Sequence, residues 1–251
     1  MLPYFTFDSI KIGFLTVHVW GIFAALGFAV GVFVAAWSAR KLRLDPEVIY
    51  DISPYLIVAS IVGARIVFFL ENPWLFTPLE FFQVWNGGLA FHGGFIGAVL
   101  TFVVYMRVKK LDLWKFGDAF APAIALGHAI GRVGCYLTGL HIGKQADVPW
   151  AVFYEGSLRH PTPLYELLLL VVIFCFLVWF SRSRISLRFH GFVFAVYVLL
   201  YSTGRFFIEF FRTDPVYHGF TVAQYITIAL FIGSIIFISV RLSRAQKHHS
   251  E

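Results

Sequence analysis

The sequence predicts an all-α protein: a polytopic integral membrane bundle of seven transmembrane helices with a small extracytoplasmic insert. Three observations predict it. Apolar residues make up 59% of the 251 positions against 14% charged, with a mean hydropathy of +0.77; a soluble domain of this size does not bury that much apolar surface. The apolar residues gather into stretches of about 20, the length that crosses a hydrocarbon core of about 30 Å. The basic residues collect in alternate connections, which is the pattern that sets topology.

The spans fall at roughly 17–38, 51–71, 89–108, 118–139, 163–182, 190–212 and 221–241. Arg40, Lys41 and Arg43 follow the first; Arg107, Lys109, Lys110 and Lys115 join the third to the fourth. Arg182, Arg184 and Arg188 join the fifth to the sixth, and Arg241, Arg244 and Lys247 form the tail, so thirteen of the 20 Lys and Arg lie on one side. The other side holds only Lys11, Lys144, Arg159 and Arg212. The C-terminus is therefore expected in the cytoplasm and the N-terminus outside, as an odd number of spans requires. No basic segment followed by a small-residue cleavage site suggests a removable signal peptide. Residues 1–251 read as a single domain without repeats. The first sixteen residues alternate around Ile10, Ile12 and Phe14 as a short strand-like interfacial segment. The insert 140–162, broken by Gly143, Pro149 and Gly156, is not a helix.

Against this apolar background three arginines lie inside spans: Arg65, Arg132 and Arg205. A guanidinium at bilayer depth costs about 2.5–3.5 kcal/mol even on mild scales, and it cannot neutralise itself. Each sits about 14 or 15 residues from the cytoplasmic end of its span, so all three are expected about 21–23 Å up the core. Polar residues would then form one layer near the outer leaflet, whereas a channel would carry them along its whole length.

Four patterns bring polar atoms to this layer. Phe91-His92-Gly93-Gly94, with Gly97, offers a base near neutral pH beside glycines that also suit helix packing. His128 and Arg132 share a helix face in a glycine-rich segment suited to a phosphate, though an arginine can also snorkel outward. In His160-Pro161-Thr162-Pro163-Leu164-Tyr165-Glu166 the glutamate reads first as an N-terminal cap and second as an arginine partner. Tyr201, Gly204-Arg205, Glu209 and Arg212-Thr213-Asp214-Pro215 form the fourth; Arg205 and Glu209 at i and i+4 also make a plain ion pair. Three arginines outnumber the acids nearest them, which leaves positive charge for a lipid phosphodiester held in bidentate fashion. Cys135 and Cys175 form no disulfide framework and no metal-ligand spacing. No cofactor pattern is present, and the net charge of +6 serves topology rather than nucleic acid. A transporter or receptor for an anionic solute is the rival class.

The chain resembles the prolipoprotein diacylglyceryl transferase family. The resemblance is carried by Gly63-Ala64-Arg65, Trp85-Asn86-Gly87-Gly88-Leu89-Ala90-Phe91-His92-Gly93-Gly94, Gly131-Arg132-Val133-Gly134, His160 to Glu166, and Gly204-Arg205 through Arg212, in order and nearly end to end. It implies transfer of the diacylglyceryl group of phosphatidylglycerol to the lipobox cysteine of a prolipoprotein signal peptide, at the outer leaflet of the bacterial cytoplasmic (inner) membrane. It implies catalytic roles for His92 as base, for Arg132 and Arg205, and for Tyr201 and Glu209. It also implies phosphatidylglycerol binding by Arg132, Arg205, Arg65, Gly93, Gly94 and Gly143. The chain departs from the family where the pattern usually continues Asn-Phe-x-Asn-x-Glu: it has Cys135-Tyr136-Leu137-Thr138-Gly139-Leu140, and Trp20 replaces an N-terminal tyrosine. Those departures keep open a paralogue that serves another acceptor. Cys135 is not expected to act covalently, because family members with asparagine there need no such step.

Overall fold

The computed structural model describes residues 4–12, 15–183 and 189–250. Phe14, Arg184 and Arg188 lie outside the described residues, as do the side chains of Arg244 and Lys247. Among the described residues the helices are α1 Val19–Lys41, α2 Glu47–Glu71, α3 Pro78–Phe82, α4 Phe91–Val108, α5 Leu113–Leu137, α6 Thr162–Phe180, α7 Phe192–Glu209 and α8 Val222–Ser250. Three antiparallel hairpins accompany them: β1 Ser9–Ile12 with β2 Leu15–His18, β3 Val152–Tyr154 with β4 Ser157–Arg159, and β5 Val216–Tyr217 with β6 Phe220–Thr221. The first is the expected amino-terminal strand-like segment, with Ile10 opposite Val17. The second lies within the non-helical insert.

Six helices, all but α3 and α5, are long and apolar enough to cross a membrane. The expected seventh span is α5. Its 25 residues suffice in length, but Lys115, Asp118, His128 and Arg132, with many Ala and Gly, dilute its apolar character. The helix that carries His128 and Arg132 is thus the one long helix whose composition does not mark it as a span.

The chain divides into two compact units, Ala39–Phe116 and the remainder. In the first, α2 and α4 run antiparallel, with Ala59 and Gly63 meeting Gly97 and Gly93. A Cβ on Gly63, Gly93 or Gly97 would overlap a backbone carbonyl of the facing helix. Small residues four apart on both helices therefore set how closely these backbones approach. The connection between them, to which sequence periodicity assigns nothing, folds as two 3₁₀ turns flanking α3, whose first turn Thr77 caps by accepting the Glu80 N–H at 3.1 Å.

In the larger unit, α1 and α5 cross at Gly27 and Gly127, where a Cβ on either would come within 2.8 Å of the other's carbonyl oxygen. Ala121 and Ala125 of α5, Ile173 and Leu177 of α6, and Val193 and Tyr197 of α7 form a buried core. Asp118 caps α7 from α5: its carboxylate accepts the N–H groups of Gly191 at 2.7 Å and Phe194 at 2.8 Å, where negative charge favours a helix start. The last helix opens with a capping box, Thr221 N–H to Gln224 Oε1 at 3.0 Å and Gln224 N–H to Thr221 Oγ1 at 3.2 Å. Two hairpins turn on residue pairs with positive φ, Glu155-Gly156 and His218-Gly219, the backbone that two-residue hairpin turns require.

Candidate functional site: a chain of alternating charges

The polar residues of the larger unit converge because each helix delivers them on one face. His128 and Arg132 are four apart on α5, and so on α7 are Tyr201, Arg205 and Glu209. Glu166 stands one turn into α6. Arg212 and Asp214 follow directly after α7.

Together they form a row of alternating charge. Glu166 Oε1 lies 3.0 Å from Arg132 Nη2, and Oε2 lies 3.9 Å from Arg205 Nε. Arg205 Nη1 pairs in turn with Glu209 Oε2. The same Glu209 oxygen is 3.4 Å from Arg212 Nε, which also meets Asp214 Oδ2 at 2.6 Å. Hydroxyls complete the carboxylates: Tyr201 donates to Glu166 Oε1 at 2.9 Å and Thr221 to Glu209 Oε1 at 2.8 Å. Arg132 Nε–H donates to His128 Nε2 at 3.1 Å. That nitrogen therefore carries no proton, and its 3.5 Å approach to Glu166 is a contact rather than a bond.

Three guanidiniums thus face three carboxylates. The expected surplus of positive charge is replaced by near-neutrality, for a physical reason: buried ions without close partners are costly, so the chain supplies carboxylates beside its arginines. The arginines nonetheless keep donors to offer. Of the five N–H groups on a guanidinium, the Arg132 Nη1 pair and the Arg205 Nη2 pair have no partner among the described residues. No described buried side-chain nitrogen or oxygen lacks a partner, so these groups reach accessible surface.

Glu166 does not take the cap role that its place at the start of α6 suggests. It makes no capping bond: the N-cap is Pro161, without a side-chain hydrogen bond. Its carboxylate bridges two arginines instead. Arg212 and Asp214, from the fourth pattern, join the row, and Thr221 is a further member that spacing alone does not single out.

The insert closes over the end of α7 by backbone bonds. Lys144 N–H donates to Phe211 O at 2.8 Å, and Gly143 N–H to His160 O at 2.9 Å. A Cβ on Gly143 would overlap the Phe211 carbonyl oxygen, so this glycine is a backbone crossing point. His141, beside it, has much of its side chain accessible, yet the protein around it and then the Arg212 and Arg132 charges push its pKa down to about 4. Asp214 is shifted the same way by other means. Burial opposes its ionisation, but the Arg212 hydrogen bond and charge hold its carboxyl below the ordinary range.

The remaining candidates lie in the Ala39–Phe116 unit. His92 is exposed in the first turn of α4. Gly93 and Gly94 face α2, whose backbone fills the space a side chain would take. Arg65 is 2% exposed. Its Nε donates to Phe81 O at 3.1 Å, Nη1 to Gly87 O at 2.6 Å and Gly88 O at 3.0 Å, and Nη2 to Glu80 O and, at 3.3 Å, Gln83 O. The ring of Phe69 stacks 4.9 Å from its centre. All five donors are engaged, which leaves none for a phosphate in this arrangement. Arg65 staples the connection before α4.

The family model for prolipoprotein diacylglyceryl transferase matches residues 8–240. The chain belongs to that family. Among its curated relatives, a phosphatidylglycerol–prolipoprotein diacylglyceryl transferase of Listeria innocua is 35% identical, over 94% of this chain and 90% of its own. Proteins of the same name from Prochlorococcus marinus and Thermosynechococcus vestitus are 34% and 33% identical, each over 90% of this chain and 89% of their own. The family match therefore takes in both units and every residue of the charge row.

Proposed function

We propose that this protein transfers the diacylglyceryl group of phosphatidylglycerol to the thiol of a lipobox cysteine in a prolipoprotein. A thioether forms and glycerol phosphate leaves. The observation that carries the reading is the meeting of Arg132 and Arg205, from separate helices, on one buried carboxylate with N–H groups still turned to accessible surface. When the glycerol carbon–oxygen bond breaks, negative charge grows on the departing phosphate. Preorganised charged donors in a dry site lower that barrier most. The thiol, with an ordinary pKa of about 8.5, is only slightly ionised at neutral pH, so a base assists it. His92 is assigned that role on the family motif in which it lies. Glu209 acts through Arg205, with which it pairs, and Tyr201 through Glu166, to which its hydroxyl donates.

We read residues 1–251 as one membrane domain with α5 as a seventh span, the N-terminus outside and the C-terminus cytoplasmic. The site then faces the outer leaflet of the bacterial inner membrane. The placement of the basic residues supports this orientation, and Arg132 in α5 supports counting that helix as a span, since its partner Glu166 is only 1% exposed.

The test is purified protein in phosphatidylglycerol vesicles with a lipobox peptide, read by mass for an added diacylglyceryl group. Growth of a transferase-depleted bacterium provides the cellular arm. A peptide left unmodified, with glycerol phosphate still released in the presence of another thiol, would favour a different acceptor. One observation keeps that reading in view: where the family carries an asparagine, Thr138 turns its hydroxyl back onto Gly134 O at 2.9 Å.

A further inference from the structure

What joins Arg132 to Arg205 is Glu166. Its two oxygens are divided between them, Oε1 toward Arg132 at 3.0 Å and Oε2 toward Arg205 at 3.9 Å. The Glu166 side chain is 1% exposed, those of Arg132 and Arg205 15% and 11%. Glu166 is therefore more deeply buried than either arginine. Tyr201 fixes the carboxylate from a third side by donating to Oε1. The helix adds its own constraint, because Glu166 sits only four residues after Thr162, whose hydroxyl bonds the His141 carbonyl of the insert.

Two guanidiniums brought side by side repel, and each has a long stem with many rotamers. A shared carboxylate removes both difficulties. We propose that Glu166 is a positioning residue that presents Arg132 and Arg205 as a single grip for the lipid phosphate. This rests on the reading of those arginines as the phosphate site. Glu166 does not touch the lipid; it sets where the unpartnered N–H groups point.

The consequence is kinetic. Displacing donors by about 1 Å costs on the order of 100-fold in productive geometry. With Glu166→Ala, kcat/KM for phosphatidylglycerol in mixed micelles falls on the order of 100-fold, with a raised KM among its causes. With Glu166→Gln, which keeps the shape and one acceptor oxygen but loses the charge, the fall is about tenfold, the lower end for supporting residues. A role confined to holding the helices together gives another signature: fewer active molecules, hence lower kcat per mole at unchanged KM.

The experiment measures KM and kcat for wild type, Glu166→Ala, Glu166→Gln and Arg132→Ala, with melting temperature in detergent recorded for each. A KM that rises in the order Gln then Ala supports the proposal. A folded Glu166→Ala protein with wild-type KM, or with a lower one, overturns it; the lower value would make Glu166 a competitor for the phosphate's place. Should Glu166→Ala fail to fold, Glu166→Gln decides, and a KM within twofold of wild type overturns the proposal. Arg132→Ala is the control for the underlying reading. If that variant still transfers lipid normally, the phosphate assignment fails whatever Glu166 does.

Discussion

Arg65 in the Ala39–Phe116 unit and the Arg132–Arg205 pair in the larger unit meet the same problem by opposite means. Each is a permanent cation in an apolar helix. Arg65 is surrounded by five backbone carbonyls of one connection, and every donor is engaged. Arg132 and Arg205 lean on a carboxylate two helices share, and donors remain. A carbonyl cage completes an arginine, whereas a counterion placed to one side leaves it half-engaged. Burial of an arginine is thus weak evidence for a ligand, and the identity of its partners is strong evidence.

The contrast predicts effects of different kind and size. Arg132→Ala and Arg205→Ala each abolish lipid transfer, a loss of at least about 100-fold by analogy with removing one oxyanion donor. Arg132→Lys loses most of the activity, because a single ammonium cannot reproduce the planar fork. Peptide mass shift against time checks both. Arg65→Ala instead strands part-buried carbonyls, at up to about 1–3 kcal/mol apiece. Its signature is a fall in melting temperature and in membrane yield, with KM for phosphatidylglycerol unchanged in the protein that survives. A raised KM in folded Arg65→Ala would erase the distinction drawn between the two arrangements.

A smaller effect comes from pH. His141 is held near pKa 4 in the fold against an ordinary 6.5, so between those values the unfolded chain binds more protons. Stability then rises with pH across that window and is lost as pH falls from about 6.5 toward 4. Melting temperature against pH checks this, and His141→Gln flattens the slope. The smallest effect belongs to Cys135, buried at 5% exposure. Cys135→Ala leaves the transfer rate within about twofold, since no step uses this thiol, at a stability cost of about 1 kcal/mol for the small void.

Hydropathy makes the long apolar helices legible, and their ends lie within four residues of the expected spans, except that α8 runs on from 241 to Ser250. α5 was harder, because the residues that make it functional also make it less apolar. Arg132, Arg205, Tyr201 and Glu209 were legible as a set because helical spacing puts each group on one face. Glu166 was not, since a carboxylate one turn into a helix serves equally as an end charge. Its true partners lie 34 residues before it and 39 after, and no local pattern reports them. Gly93 and Gly143 show the reverse. Their motif was visible, but only the facing carbonyls reveal that the absence of a side chain is what matters there. The Thr221–Gln224 capping box carries a local signature of its own, yet its tie to Glu209 depends on the hairpin folding back.

That tie has a reach of its own. Thr221 uses one oxygen twice, receiving the Gln224 amide at the threshold of the final helix and giving its hydrogen to Glu209. Exchange it for valine and the carboxyl-terminal rod loses its starting knot at the same instant as Glu209 loses its hydroxyl, so wear at the tail would be felt among the charges.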